Sequence, residues 1–323
     1  MRKVALEEAI IVPGQVELVP EHKTHPEFEL NEDALLDVGE NRLKVMDEAE
    51  IDLMVLSITT PGTQGLDTKD DASAIASSWN DYLVETVQSA PTRYKAFASL
   101  ATSDIPGSIA ELERISKFPE FLGCMLNGFE ESNGMTAKYF DHPDFIPMWQ
   151  KISDLNLPIY IHPRSIPKGR VATYSPYEPL HGATWGFHIE TAEHILRLIF
   201  SGLFDKHPNL KVVIGHMGEL LPFWAWRIDH RIELEGWQST MKCQHKIFHY
   251  LKSNIFVTTS GMFHTPALQH AISTIGLDNI MYSVDYPYED AKQASQWFND
   301  LELSQQDKEQ IAFKNFERIF SIG

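Results

Sequence analysis

Cysteine is nearly absent. The 323 residues hold two, Cys124 and Cys243, with no CxxC pair, which excludes a disulfide scaffold and a cysteine zinc site. Cys124 sits in an apolar run and reads as a small core residue. Basic residues are also scarce: 27 Lys and Arg against 45 Asp and Glu leave a formal net charge of −18. That balance argues against a nucleic-acid partner and against an anionic membrane surface. An anionic substrate would have to be met by locally placed cations. No apolar run reaches the roughly 18 residues of a membrane span. Near the start, VALEE carries two acids where the apolar core of a secretory signal would stand. A reduced, soluble, cytoplasmic protein is the expectation. No low-complexity linker or charge shift divides the chain, so residues 1–323 are expected to form a single unit.

What is present is a regular alternation. Eight short apolar runs, rich in β-branched and aromatic residues, read as strands: 4–10, 51–58, 94–100, 121–128, 157–163, 210–218, 254–261 and 280–287. Between them lie stretches with apolar residues at helical spacing, such as Trp79, Leu83 and Val87 within 72–89. Alternating β and α, with strands that are near-continuous apolar runs, predicts a parallel sheet covered by helices. Eight units favour closure into a (β/α)8 TIM barrel of the α/β class. Three connections are long: 11–33, 165–188 and 236–249. The first two leave the carboxyl ends of strands, where barrel enzymes hold their sites. They are expected to be lids or pocket walls, ordinary surface insertion being the alternative.

Polar side chains stand at the exits of four strands: Glu7 in VALEEAI, His162 in LPIYIHPR, His216 in LKVVIGHMGE and Asp285 in IMYSVDYPYE. Alternate strand residues share a face, so Ala5, Glu7 and Ala9 are expected to point into the barrel and Glu8 toward the helices or a loop. A carboxylate inside a barrel needs a metal or a partner such as an arginine. Asp285 alone could cap a helix, but four such residues at one rim point to a shared site. Glu7, His162 and Asp285 supply two carboxylates and one imidazole. That mixed set suits one divalent ion with open water positions, Mn²⁺ or Mg²⁺ as readily as Zn²⁺. Glu219, at the start of the following helix, is placed to orient the His216 imidazole. Arg227, in WRIDHR, is a candidate for an anionic substrate group or a contact between subunits; the alternative is a surface ion pair with Asp229. His194 lies on a helix and reads as structural. His22, His25, His142, His181, His207, His230, His245, His249, His264 and His270 show no comparable context.

These residues also carry a resemblance. LEEA, YIHPR, GHMGE, TTSG and SVDYPYE, at the first, fifth, sixth, seventh and eighth strands, resemble the amidohydrolase-superfamily non-oxidative decarboxylases. That group contains the γ-resorcylate, 2,3-dihydroxybenzoate, salicylate and 5-carboxyvanillate decarboxylases. The likeness runs nearly end to end and includes SGLFDKHPNLKVVIGHMGE and WRIDHR. It implies a metal-dependent barrel, usually a homotetramer built from dimers, with metal ligands at Glu7, His162 and Asp285. It further implies a supporting histidine and acid at His216 and Glu219, and a substrate-contacting arginine at Arg227. The γ-resorcylate type has a histidine two residues after the first-strand glutamate, where this chain has Ala9; the alanine form resembles the other three types. The expectation is therefore decarboxylation of an ortho-hydroxybenzoate of the 2,3-dihydroxybenzoate or salicylate type, or the reverse carboxylation of the phenol. The alternatives are γ-resorcylate, 5-carboxyvanillate, or a metal-dependent hydrolysis of the same superfamily. In the implied mechanism Asp285 protonates the carboxyl-bearing ring carbon, and no organic cofactor is needed.

Overall fold

The computed structural model describes residues 1–19, 26–66, 71–132 and 136–322; His22 and His25 lie outside them. All eight expected strands form: β1 (Val4–Ile10), β2 (Leu53–Ile58), β3 (Tyr94–Ser99), β4 (Phe121–Asn127), β7 (Ile159–His162), β8 (Val212–Ile214), β9 (Ile255–Thr258) and β10 (Ile280–Met281). They pair in parallel in the order β1-β2-β3-β4-β7-β8-β9-β10. The numbering leaves room for a small antiparallel pair, β5 (Glu130–Ser132) and β6 (Thr136–Lys138), too short to show a periodicity in the sequence. Helices occupy the crossovers, so the architecture is the α/β barrel expected from the alternation. Strands β8 and β10 are shorter than their apolar runs, because the polar residues that end those runs belong to loops.

Two buried layers follow from strand alternation. Val4, Leu6, Val55, Phe97, Tyr160, Val213, Phe256 and Met281 belong to one cluster, closed at one end by Phe316, Ile319 and Phe320 from the last helix. This cluster draws on every barrel strand and is the barrel interior. Ala5, Met54, Ala96, Cys124, Ile159, Val212 and Ile255 belong to the layer packed against the helices. Ala5 therefore points outward, not inward as the alternation from Glu7 suggested. The pairing of β1 with β2 explains the discrepancy. Val4 and Ala5 pair with Leu53 and Met54, but Glu8 pairs with Leu56, so β1 holds one extra residue there. This β-bulge changes the parity of the strand. Leu6 and Glu7 both serve the inside.

The connections after β1 and β7 are more ordered than their composition indicated. Pro26–Leu36 is a helix. Short helical turns fill Lys168–Arg170, Val171–Tyr174 and Glu178–His181. The main helix between β7 and β8 runs from Gly186 to Phe200. Gly202, at φ 73, then starts a separate turn over Leu203–Lys206. Among the described residues no helix is long and apolar enough to cross a membrane.

Candidate active site

The bulge in β1 delivers Glu7 to the mouth of the barrel, where its side chain is 2% exposed. Gly215 makes room for it: a Cβ there would lie 2.6 Å from Glu7 Oε2. Next comes an unusual turn. His216, Met217, Gly218, Glu219 and Leu220 all have positive φ, between 48° and 88°. A left-handed conformation costs an L-residue roughly 1–2 kcal/mol, so the four non-glycine residues of this five-residue turn store strain of the kind that gathers at functional sites. Glu219 accordingly lies in this turn, before the helix Leu221–Glu235, and not at its first residue. Asp285 is also left-handed, at φ 84. The helix that follows it is capped by Asp290, whose side chain accepts from Gln293 N at 2.9 Å. Asp285 is thus not a helix cap.

The four rim residues meet. His162 Nε2 lies 3.1 Å and His216 Nε2 3.9 Å from Glu7 Oε1, and His216 Nε2 lies 3.4 Å from Asp285 Oδ2. Ligand atoms of Glu7, His162 and Asp285 lie within 4.8 Å of one another, an arrangement that can hold a metal ion. Both imidazoles are held with Nε2 inward by a hydrogen bond at Nδ1. His162 Nδ1 donates to Pro163 O at 2.7 Å, and His216 Nδ1 donates to Glu219 Oε1 at 2.6 Å. In the neutral rings this leaves lone pairs on Nε2, facing carboxylate oxygens. Glu7 Oε2 accepts from the Tyr160 hydroxyl, while Oε1 is buried and has no hydrogen bond among the described residues. Lone pairs so close in a buried site require positive charge among them. A divalent cation fits that need and this donor set.

The proton affinities express the same need. Burial opposes ionisation of Glu7, but His216, His162 and Tyr160 outweigh it and hold the carboxyl below its ordinary range. Burial works against charge on His216, yet Glu219 and Glu7 push its proton affinity well above the usual histidine value. Asp285 is raised, first by burial and then by Glu7, against the opposing pull of His216. Glu219 falls to about 2: burial would raise it, but the two imidazoles at its oxygens prevail.

Glu8, the next residue, faces the barrel seam. Its Oε1 accepts from Ser283 Oγ at 3.0 Å and Val284 N at 3.1 Å, and its Oε2 from Tyr286 N at 3.1 Å. Ser283 Oγ in turn accepts from Leu6 N and Glu7 N. With Ala9 N donating to Tyr286 O at 2.7 Å, these bonds join β1 to the segment after β10, across the gap in the ladder. Burial raises the Glu8 carboxyl to about 8.

A cavity of about 330 Å³ opens above the cluster, large enough for a substituted benzene ring. Its lining joins Phe28, Leu30 and Asn31 from the connection after β1 to Ser165, Ala183 and Phe187 from the connection after β7. His162, His216 and Asp285 form the floor, and Tyr288 and Glu289 add polar groups. Among the described residues no lysine or arginine lines it. Arg227 in particular is exposed on the helix Leu221–Glu235, outside this lining. Nor is it shown paired with Asp229, whose carboxylate accepts from Ile247 N and Phe248 N. His194 is 1% exposed and its Nε2 accepts from Phe140 N, a structural role as expected. Missed by sequence reasoning is His188, whose Nδ1 lies 2.6 Å from Glu219 Oε2. In the sequence it marked only the end of a long connection, and no local pattern links it to a turn some thirty residues later.

Three comparisons bear on this geometry. The profile of the Amidohydrolase family matches residues 37–322. The γ-resorcylate decarboxylase of Polaromonas sp. is 39% identical over 293 residues, covering 90% of this chain and 89% of its own. A crystal structure of 2,6-dihydroxybenzoate decarboxylase complexed with 2,6-dihydroxybenzoate superposes with a TM-score of 0.93 at 38% identity, covering 100% of both chains. The dihydroxybenzoic acid decarboxylase from Polaromonas sp., with bound manganese and the inhibitor 2-nitroresorcinol, gives 0.92 at 37% identity, over 99% of this chain and 97% of that one. The similarities favour the γ-resorcylate type, an alternative in the sequence analysis, over the type suggested by Ala9. That residue packs with Ile11, Phe28 and Leu35.

Proposed function

The chain belongs to the amidohydrolase family, and from that premise we propose that it is a metal-dependent, non-oxidative decarboxylase of ortho-hydroxybenzoates, preferring a 2,6-dihydroxybenzoate ring. On this reading it is a carbon–carbon lyase. The observation that carries the proposal is Glu7 Oε1: a buried carboxylate oxygen with no hydrogen bond among the described residues, 3.1 Å from an imidazole nitrogen whose ring already donates elsewhere. Glu7, His162 and Asp285 would hold one divalent ion. When bound, it supplies the positive charge that a hydroxybenzoate's acidic oxygens require. Manganese in a relative of similar fold supports this choice of cofactor.

The chain's own residues account for the rest. Burial favours the protonated form of Asp285, which suits a general acid. Asp285 delivers its proton to the ring carbon bearing the carboxylate. The bond to that carboxylate then breaks, its electron pair restores the aromatic ring, and CO₂ departs. One proton is consumed per turnover. His216, held by Glu219, faces Asp285 with Nε2 and positions that acid for the transfer. The residues lining the cavity between Phe28 and Phe187 shield the ring from water.

Among the described residues no cation lines the cavity, which supports a role for Arg227 across an interface. Phe223, Trp224 and Trp226, beside it in sequence, are 70%, 44% and 65% exposed. Aromatic exposure of this extent suits a homo-oligomeric contact. Arg227 of one copy would then meet the substrate's anionic group in another, in a dimer or tetramer.

The test is a panel of hydroxybenzoates, and separately of lactones, given to the purified chain with Mn²⁺, Mg²⁺ or Zn²⁺. CO₂ release is expected, fastest from 2,6-dihydroxybenzoate and slower from 2,3-dihydroxybenzoate, salicylate and 5-carboxyvanillate. Ring opening of a lactone without CO₂ release from any benzoate would replace this reading with the hydrolytic one.

A further inference from the structure

We propose that His188 is a positioning residue of this reaction: by holding the second oxygen of Glu219 it fixes the ring orientation and tautomer of His216. The proposal rests on the decarboxylase reading for its kinetic consequences, and on geometry alone for its structural ones.

Glu219 is fully buried, and each of its oxygens takes one imidazole. Oε1 accepts from His216 Nδ1 and Oε2 from His188 Nδ1, both at 2.6 Å. The two rings stand edge to face, 5.7 Å between centroids and 78° between planes. Their origins differ. His216 and Glu219 belong to the left-handed turn after β8, whereas His188 projects from the first turn of the helix Gly186–Phe200. That helix emerges from the connection whose residues wall the cavity. Glu219 is therefore gripped from two elements, and neither of its oxygens can leave its partner without becoming an unpaired buried acceptor.

This grip bears on the chemistry. His216 can aim Nε2 at Asp285 and Glu7 only while Nδ1 keeps its proton on Glu219. If Glu219 rotated, the imidazole could exchange tautomer or flip, and Nε2 would no longer face Asp285. The turn that carries both residues is strained, so it has somewhere to relax to once the outside contact is lost.

The same three side chains have the composition of a metal site, with ligand atoms close enough to one another to hold an ion. Their distances point elsewhere. Two ligand atoms on a shared ion, each about 2.0–2.2 Å from it, stand near 3 Å or more apart. The 2.6 Å separations seen here are those of charge-assisted hydrogen bonds.

Three variants test the proposal in the metal-loaded enzyme. His188→Ala should lower kcat about 10–100-fold, the usual effect of losing such a supporting partner, with KM and metal content close to those of the starting enzyme. His188→Asn, whose amide N–H can stand where Nδ1–H stood, should recover most of that loss. His188→Gln, which reaches toward the Nε2 position instead, should not. Comparing Asn with Gln decides the matter even if the alanine variant fails to fold. Unchanged kcat in His188→Ala would overturn the proposal, as would a His188→Asn enzyme no faster than the Gln variant. Loss of a second equivalent of metal in His188→Ala would also overturn it, in favour of an ion site. Should the unaltered chain release no CO₂ from any benzoate, the decarboxylase reading fails, but positioning is still decided by long-range ¹⁵N NMR of the imidazoles. A single Nδ1–H tautomer of His216 that becomes mixed in His188→Ala supports it; an unchanged spectrum overturns it.

Discussion

Glu7 and Glu8 are neighbours on one strand, both buried, and their surroundings have opposite character. On the seam side, three donors hold both oxygens of Glu8 and join β1 to the segment after β10. On the cavity side, Glu7 keeps one oxygen without a hydrogen bond among the described residues, beside imidazole nitrogens and a second carboxyl. A carboxyl with both oxygens held by fixed donors is part of the architecture. One with an open lone pair in a dry site is placed for something that arrives. Identical residue types one position apart thus divide between the barrel seam and the cavity side, and the extra residue in β1 turns Glu7 inward beside Leu6.

Substitutions can sharpen or break this contrast. The largest effect is expected on the cavity side at Asp285. Asp285→Asn should lower turnover by about 10²–10⁴-fold, the range of a lost general acid, while elemental analysis still finds much of the metal. An Asn enzyme that turns over normally would remove Asp285 from the role of acid. Next comes the pair of glutamates, compared in the metal-free protein by denaturant midpoint. Glu8→Ala strands a hydroxyl and two backbone N–H groups and should cost at least about 3 kcal/mol, at roughly 1 kcal/mol or more for each buried donor. Glu7→Gln should leave that midpoint nearly in place yet lose the metal. Equal destabilisation by both would break the contrast. The smallest effect concerns two histidines on one helix, His188 at the site and His194 in the core. His194 accepts from Phe140 N and lies fully buried, so its affinity for a proton is pushed down to about 3. The sign follows: the unfolded chain takes up this proton near the ordinary histidine value, and the folded chain does not. His194 therefore supports folding above about pH 6.5, and that support drains away by about 1.4 kcal/mol per pH unit as pH falls toward 3. His194→Gln should be less sensitive than the parent between pH 6.5 and 5. Parallel midpoint curves would show that His194 is not held neutral.

Much of the site was legible because its residues end apolar strands. Glu7, His162, His216 and Asp285 each interrupt a run that periodicity marks as buried, and strand exits of a barrel converge on one face whatever the loops do. Glu219 was legible through its spacing from His216, although the left-handed turn that carries both was not. Arg227 kept its motif but lies exposed outside the cavity lining, because a motif does not say which way a helix presents its residues. Ala9 suggested one ring type while similarity over nearly the whole chain favours another; a single position carries less about a pocket than the walls that surround it.

By itself the sequence determined the alternation, the strands and the polar residues at their ends, since these depend on local periodicity and on the cost of burying charge. The tertiary structure alone decided three other matters: that a bulge puts Leu6 and Glu7 on the same side, that Glu8 locks the seam, and that His188 reaches Glu219 from a different element. Each depends on register or on a contact between distant segments. Those are set by how whole elements pack, and a one-residue shift in them leaves the local hydrophobic pattern unchanged.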